Sequence, residues 1–122
     1  MIKDYRDLEV WNLAMTLAVE CYRMTKPFPK DELFGLTSQI RRAASSIPAN
    51  IAEGHGRDHT KEFLNHLSIA NGSLKELETH LFLANKIGLL AQDELDRALP
   101  LTERTGQMIT RLRQSLKRRL ET

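Results

Sequence analysis

The chain has 122 residues, of which 41% are hydrophobic and 6% aromatic, and its formal net charge is +2. This length suits a modest core, so we expect residues 1–122 to form a single domain. The small net charge does not require a nucleic-acid partner, and a single cysteine excludes an internal disulfide framework and a cysteine-based zinc site.

Charged residues interrupt the N-terminal segment, and no stretch approaches the roughly 18 apolar residues of a membrane span. We therefore expect a cytoplasmic protein without a membrane partner. Long periodic segments with few aromatic residues predict an all-α fold.

The first helix is expected from about Asp7, which can cap its first turn, to about Lys26, before two closely spaced prolines. It carries two apolar stripes side by side. One is Leu8, Trp11, Met15, Ala18 and Tyr22, and the other is Val10, Ala14, Leu17, Cys21 and Met24. Such a helix packs between neighbours, either deep in its own bundle or against another subunit.

The second helix is expected from about Asp31 to Gly54, a residue suited to a left-handed cap. Pro48 removes one hydrogen bond and opposes the carbonyl of Ala44, which leaves a kinked helix or two shorter ones. The apolar stripe continues in phase through the proline, which favours a kink. That stripe is Leu33, Leu36, Ile40, Ala44, Ile47 and Ile51.

A polar stripe recurs at the same spacing on this helix. It consists of Gln39, Arg42, Ser46, Asn50 and Glu53. Serine and asparagine are poor residues for a helix interior because they compete for backbone groups, so the stripe indicates specific hydrogen bonds within the fold or an assembly.

The adjacent arginines Arg41 and Arg42 point about 100° apart on a helix and cannot share one role. Arg42 lies on the polar stripe and is expected to pair with a carboxylate such as Glu53, Glu76 or Glu78, the alternative being a ligand contact. Arg41 is expected to be the exposed one.

The third helix is expected to begin between Asp58 and Thr60 and to end near Gly88. Its heptad seam indicates nearly parallel packing against neighbouring helices. The seam is Phe63, Leu67, Ala70, Leu74, Leu77, Leu81 and Ala84. Asn71, Gly72 and Ser73 lie off the seam, where small residues either admit another backbone or weaken the helix.

The fourth helix is expected from Gln92 or Asp93, with Pro100 and Gly106 kinking or fraying its first half. Its apolar face is Leu95, Leu99, Thr102, Ile109, Leu112, Leu116 and Leu120. Four helices joined by short turns predict an antiparallel up-and-down bundle.

Basic residues recur every seven positions on the fourth helix, and the only acidic residue after Glu103 is Glu121. They are either a solvated face favoured by the helix dipole or a surface for phosphate backbones, which needs only clustered cations. The repeating set is Arg97, Arg104, Arg111 and Arg118, joined by Arg113, Lys117 and Arg119. An assembly of several copies would multiply this surface.

No constellation of residues indicates catalysis. The four histidines, His55, His59, His66 and His80, lack the spacing of a helical metal site, although His55 and His59 could meet in a turn. Cys21 lies in an apolar stripe and is expected in the core. Since phosphate loops, nucleophile elbows and metalloprotease motifs are also missing from the sequence, we expect no enzyme activity, metal or cofactor.

Several strings along nearly the whole chain point to one family. They are Asp-Leu-Glu-Val-Trp at 7–11, Gln-Ile-Arg-Arg-Ala at 39–43, Ser-Ile-Pro-Ala-Asn-Ile-Ala-Glu-Gly at 46–54, Glu-Phe at 62–63, and Ile-Ala-Asn-Gly-Ser-Leu-Lys-Glu-Leu-Glu at 69–78. The chain resembles the four-helix-bundle proteins encoded in intervening sequences of bacterial 23S ribosomal RNA genes, and their relatives that act as accessory proteins of diversity-generating retroelements.

The resemblance implies an antiparallel four-helix bundle that assembles as a ring-like homopentamer with a central channel. The retroelement relatives are basic, bind nucleic acid and associate with the reverse transcriptase, whereas the intervening-sequence branch has no established biochemical role. This chain departs from the retroelement type in its near-neutral charge, with acidic Asp93, Glu94 and Asp96 beside the basic residues.

Two hypotheses follow. The first is a non-enzymatic oligomeric scaffold that binds RNA, DNA or a nucleoprotein partner through Arg41, Arg104, Arg111, Arg113, Lys117, Arg118 and Arg119. The second is a protein-interaction module, for example with a reverse transcriptase, that does not itself bind nucleic acid. In both, Gln39, Arg42, Ser46, Pro48, Asn50, Glu53, Gly54, Ser73 and Glu76 are expected to be structural.

Overall fold

The structure is a computed structural model that describes residues 4–121, and over that range it contains helices and no strand. The four α-helices are α1 (Glu9–Thr25), α2 (Leu36–His55), α3 (Thr60–Lys86) and α4 (Gln92–Glu121), and short 3-10 turns span Tyr5–Asp7 and Lys30–Glu32. Helices α2 and α4 each pack against α1 and α3 but do not touch each other. The all-α prediction is therefore confirmed, with the four helices around one core as in a four-helix bundle.

The core draws on all four helices. The heptad seam of α3 is fully buried from Leu67 to Ala84, and Phe63 at its start is half-buried. The seam packs with fully buried residues of the other helices, among them Ala14, Leu17 and Cys21 of α1, Ile40, Ala44, Ile47 and Ile51 of α2, and Ile109 of α4. Burial of these side chains provides the main driving force for folding.

The two apolar stripes of α1 differ in burial. The stripe from Val10 to Met24 is buried in the core, whereas Met15 and Tyr22 of the other stripe are exposed. The predicted cap is wrong, because Asp7 lies in the preceding 3-10 turn and α1 has no side-chain cap. The segment before α1 is held instead by the Asn12 amide, which donates to the carbonyls of Arg6 (2.8 Å) and Leu8 (3.0 Å).

Helix α2 begins at Leu36 and not at Asp31, which belongs to the 3-10 turn. The Glu32 carboxylate accepts a hydrogen bond from the first helical amide, that of Leu36, at 3.1 Å. The helix continues through Pro48 without interruption, so the alternative of two shorter helices is wrong.

Gly54 is not a left-handed cap, because α2 continues to His55 and Gly56 has a φ of −77°. The left-handed conformation occurs instead at Gly88, with a φ of +86°, just after α3. Glycine suits this position because it has no Cβ to oppose the following carbonyl.

Helix α4 is continuous through Pro100 and Gly106, so the prediction of a frayed first half is wrong. Its predicted apolar face is buried at Leu95, Thr102, Ile109 and Leu116. Leu120 is 47% exposed, and every residue from 117 to 121 is exposed, so no other helix covers the last turn of α4.

Candidate nucleic-acid interface

The basic stripe of α4 lies largely in solvent. Seven residues make nearly two helical turns, so Arg104, Arg111 and Arg118 lie close to one line along the helix. All three are exposed, as is neighbouring Lys117, and none has a carboxylate within ion-pair distance among residues 4–121. These cations are therefore available to an anionic partner.

The first residue of the stripe is already paired. The Arg97 guanidinium lies 2.7 Å from Glu94 and 3.3 Å from Asp93, which precede it by three and four residues, about one helical turn. Among residues 4–121, the unpaired part of the stripe therefore begins at Arg104, near the middle of α4. The negative end of the helix dipole also favours the cation of Arg118 in the last turn.

The remaining basic residues of α4 differ in exposure. Arg119 is exposed, whereas Arg113 is half-buried and its Nε atom is buried without a hydrogen-bond partner in the described chain. Among the predicted contacts on α4, Arg113 is thus the least accessible to a nucleic acid.

Arg41 does not join this surface, because it lies on α2, which does not contact α4. The prediction that Arg41 is exposed is wrong. Its Nε donates to the hydroxyl of Thr25 at 2.9 Å, and its guanidinium lies 4.7 Å from the centre of the Tyr22 ring. Arg41 is half-buried and fastens α2 to the end of α1 through a hydrogen bond and a cation–π contact.

Arg42 is exposed, and its predicted pairing is also wrong. Each of the three candidate carboxylates has another partner: Glu53 contacts Arg57 at 3.0 Å, Glu76 contacts His80 at 3.4 Å, and Glu78 contacts Lys75 at 3.2 Å. The two adjacent arginines therefore exchange the roles expected of them, since it is the Arg41 side of α2 that faces the end of α1.

The polar stripe of α2 forms a hydrogen-bonded chain with α3, which we call the polar seam (Ser46, Asn50, His66 and Ser73). The hydroxyls of Ser46 and Ser73 lie 2.8 Å apart. The Asn50 amide donates to the Ser46 carbonyl (2.9 Å) and hydroxyl (3.1 Å), which turns its oxygen toward His66 Nδ1 at 3.1 Å. That oxygen is an acceptor, so the histidine tautomer with a proton on Nδ1 fits the contact.

The polar seam confirms the predicted hydrogen-bonding role of Ser46 and Asn50 and shows the structural place of Ser73. Glu53 lies outside the seam, because it is exposed and contacts Arg57 in the loop that follows α2. Sequence reasoning did not find His66, although its place one helical turn after Phe63 put it on the side of α3 near the seam.

Gly54 marks a close approach of α2 to α3. A Cβ atom added to it would lie 2.6 Å from the Cβ of His66 and 2.9 Å from Cδ1 of Phe63. A residue without a Cβ is therefore needed for the helices to come together here. The backbone of Gly54 is helical and not left-handed.

A polar groove of about 460 Å³ lies beside the seam. It is lined by Gln39, Arg42, Ala43, Ser46, Ser73 and Glu76. The groove brings together five residues predicted to be structural, but its charged residues, Arg42 and Glu76, do not form an ion pair.

The α1 stripe that contains Met15 and Tyr22, which we call the outer stripe, forms a groove with α2 whose volume is about 490 Å³. We call it the apolar groove. It is lined by Tyr5, Trp11, Met15, Ala18, Val19, Tyr22, Ser45, Pro48, Ala49 and Ala52. Sequence reasoning named the outer stripe but missed the α2 wall, whose signal is the small residues and proline recurring at positions 45, 48, 49 and 52.

The side chains with reactive or metal-binding groups do not form a site within residues 4–121. The Cys21 thiol is fully buried, and burial raises its pKa to about 12, so it stays protonated at neutral pH. Within residues 4–121 no three histidine, cysteine or acidic side chains are grouped so that they could hold a metal ion. No helix over the same range is both long and apolar enough to cross a membrane.

Two comparisons with known proteins give a match, one for the family and one for the fold. The model of the 23S rRNA-intervening sequence proteins matches residues 6–111. A crystal structure of a protein of unknown function from the S23 ribosomal protein family of Bacteroides thetaiotaomicron VPI-5482 superposes with a TM-score of 0.76 at 22% identity, covering 84% of this chain and 96% of that one. No curated protein matches the sequence.

Proposed function

Because the chain belongs to the family of 23S rRNA-intervening sequence proteins, we propose that it is a non-enzymatic, oligomeric scaffold that binds RNA or a nucleoprotein partner through α4. The observation that carries the proposal is a group of four exposed cations that form no ion pair within residues 4–121, namely Arg104, Arg111, Lys117 and Arg118. Clustered cations are sufficient for binding phosphate backbones, since this part of the affinity needs no base-reading geometry.

We further propose that the bundle is antiparallel and assembles as a homopentameric ring in the cytoplasm. The antiparallel arrangement is supported by contacts that run in opposite directions along two neighbouring helix pairs, α2 with α3 and α1 with α4. Ser46 contacts Ser73 while the later Asn50 contacts the earlier His66, and Arg23 near the end of α1 lies 2.9 Å from Glu94 near the start of α4. A ring would place one copy of the α4 stripe on each subunit and so multiply the positive surface.

A titration against structured ribosomal RNA at two salt concentrations tests RNA binding. We expect the affinity of the wild-type protein to fall steeply with salt. A variant with Arg104, Arg111, Lys117 and Arg118 changed to glutamine should lose binding, and its salt slope should fall by about one for each phosphate contact removed. Arg113 is kept because its side chain is half-buried.

A matched control removes the same charge from elsewhere. Arg6, Arg23, Arg57 and Arg97 are each paired with a carboxylate, and their substitution by glutamine lowers the net charge equally. If this control loses RNA binding as completely as the α4 variant, the affinity depends on total charge and the proposed interface is wrong. Far-UV circular dichroism should show unchanged helicity in both variants.

The second candidate is a protein-interaction module without intrinsic nucleic-acid binding, such as an accessory protein of a reverse transcriptase. The apolar groove on α1 and α2 favours it, because Met15, Val19 and Tyr22 remain exposed there. If the wild-type protein shows no salt-dependent RNA binding, this alternative is favoured over the first.

A further inference from the structure

The loop that leads into α2 presents an aromatic side chain to solvent. Phe34 is 93% exposed and its neighbour Leu33 is 49% exposed. We call this pair the knob (Leu33 and Phe34). Single exposed apolar residues are common on protein surfaces, but an exposed phenylalanine beside an exposed leucine gains free energy when a partner covers them.

The apolar groove offers such a covering surface. Its walls include three exposed apolar side chains, Met15, Val19 and Tyr22, and its α2 side carries the small residues Ser45, Ala49 and Ala52. The volume of about 490 Å³ falls within the range of pockets that enclose small organic groups. An aromatic side chain therefore fits the groove in size and polarity.

The knob cannot fill the groove of its own chain. Phe34 precedes Pro48, on the groove wall, by almost four helical turns, which is about 20 Å along α2. A knob that enters this groove must therefore come from another molecule.

Charge complementarity supports a second copy of this chain as that molecule. Asp31, close to the knob, has no cation within ion-pair distance among residues 4–121. Arg41 stacks on Tyr22 at one end of the groove and has no carboxylate partner in the same range. The knob therefore lies beside an unpaired carboxylate and the groove ends at an unpaired guanidinium, so the two surfaces are complementary in charge as well as in polarity.

We propose that the apolar groove binds the Leu33–Phe34 knob of a second copy of this chain. The inference rests on the proposed assembly and names the two surfaces that form it. Because knob and groove are different surfaces, each copy can offer a knob to one neighbour and a groove to the other. Such a head-to-tail contact closes into a ring when the rotation between copies closes.

The first test compares two exposed apolar residues. Phe34→Ala should weaken self-association at least about tenfold in sedimentation, the effect expected for the anchor of an interface, while the helicity of the chain is retained. Leu120→Ala, at the uncovered end of α4, removes a side chain that is 47% exposed and should leave association unchanged. Equal effects of the two substitutions would overturn the proposal.

The second test locates the contact by cross-linking. Leu33→Cys keeps Phe34, and Ala49→Cys places a thiol on the groove wall. Co-expressed, the two variants should be linked by a short bismaleimide into dimers that neither variant forms alone. Native Cys21 does not interfere, because its buried thiol has a pKa raised to about 12.

The outcomes separate this inference from the proposed function. An assembled wild-type protein that gives no mixed cross-link and tolerates Phe34→Ala would overturn the knob and groove while leaving the assembly and RNA binding in place. Cross-links formed by Ala49→Cys alone would indicate grooves facing each other and would also overturn the proposal. A wild-type chain that is monomeric at micromolar concentration would overturn both the assembly and the inference, whereas RNA binding is decided by the separate titration.

Discussion

The two sides of α2 reverse the usual relation between polarity and exposure. The side facing α3 carries Ser46 and Asn50, yet from Ser46 to Gly54 it is closed by hydrogen bonds and by the close approach at Gly54, and the polar groove opens beside it toward Gln39 and Arg42. The side that meets the outer stripe of α1 carries Pro48 and Ala49, yet it is an open groove. Polarity alone therefore does not tell which side of this helix meets a partner.

The comparison also shows what each kind of contact specifies. A hydrogen bond of 2.8 Å between Ser46 and Ser73 forms in only one register of α2 against α3, whereas apolar contacts tolerate sliding. The polar seam therefore fixes how the chain packs on itself. The apolar groove is left for contacts beyond the chain.

The largest effect is expected from filling the close helix approach at Gly54. Gly54→Ala should lower the free energy of unfolding by about 2 kcal/mol, because its Cβ would lie 2.6 Å from the Cβ of His66 and overpack the contact. Gly72→Ala is the matched control, since nothing lies within 4 Å of its added Cβ, and it should stabilise the helix by about 0.5–1 kcal/mol. Urea denaturation measures both, and similar effects would contradict the special position of Gly54.

The next effect is expected from breaking the polar seam. Asn50→Ala removes the groups that contact Ser46 and His66 and should lower the free energy of unfolding by about 1–2 kcal/mol. Asn65→Ala, at an exposed site on α3, should change it by less than about 0.5 kcal/mol. If Asn50→Ala leaves folding and assembly unchanged but abolishes partner binding, the seam is a recognition site.

A smaller effect should distinguish the two adjacent arginines. Arg41→Gln loses the Thr25 hydrogen bond and the contact with the Tyr22 ring, and should cost about 0.5–1 kcal/mol in thermal or urea unfolding. Arg42→Gln, which removes an exposed and unpaired cation, should be neutral within about 0.5 kcal/mol. The reverse order of effects would restore the structural role that the sequence suggested for Arg42.

The smallest effect on folding is expected at the open groove. Val19 is 61% exposed, so Val19→Ser should change the free energy of unfolding of the monomeric chain by less than about 0.5 kcal/mol. Unfolding should be measured at a protein concentration at which the chain is monomeric. A loss above about 1 kcal/mol would mean that the groove is covered within the chain, and the contrast between the two sides of α2 would disappear.

The elements that periodicity predicted well are those whose pattern spans many turns. The seam of α3 from Leu67 to Ala84 is buried throughout, because a heptad repeat of six apolar residues admits only one inward face. The end of α4 shows the limit of the same argument. Leu120 continues the pattern but is exposed, since burial depends on whether a neighbouring helix extends that far.

Local signals predicted helix ends and single side chains less well. Asp31 has the chemistry of a helix cap, but the chain makes a 3-10 turn there and α2 starts at Leu36. Adjacent Arg41 and Arg42 differ by about 100° around the helix, and only the position of the end of α1 decides which one reaches Tyr22. Tertiary packing, which no window of sequence contains, settles both cases.

Trp11 has a consequence for observing the molecule in solution. It is the sole tryptophan of the chain, and it lies half-buried on the wall of the apolar groove, 5.1 Å from the centre of the Tyr5 ring in an edge-to-face contact. The intrinsic fluorescence of the unlabelled protein therefore comes mainly from one place. A shift of its emission to shorter wavelength would report directly that water has left the groove.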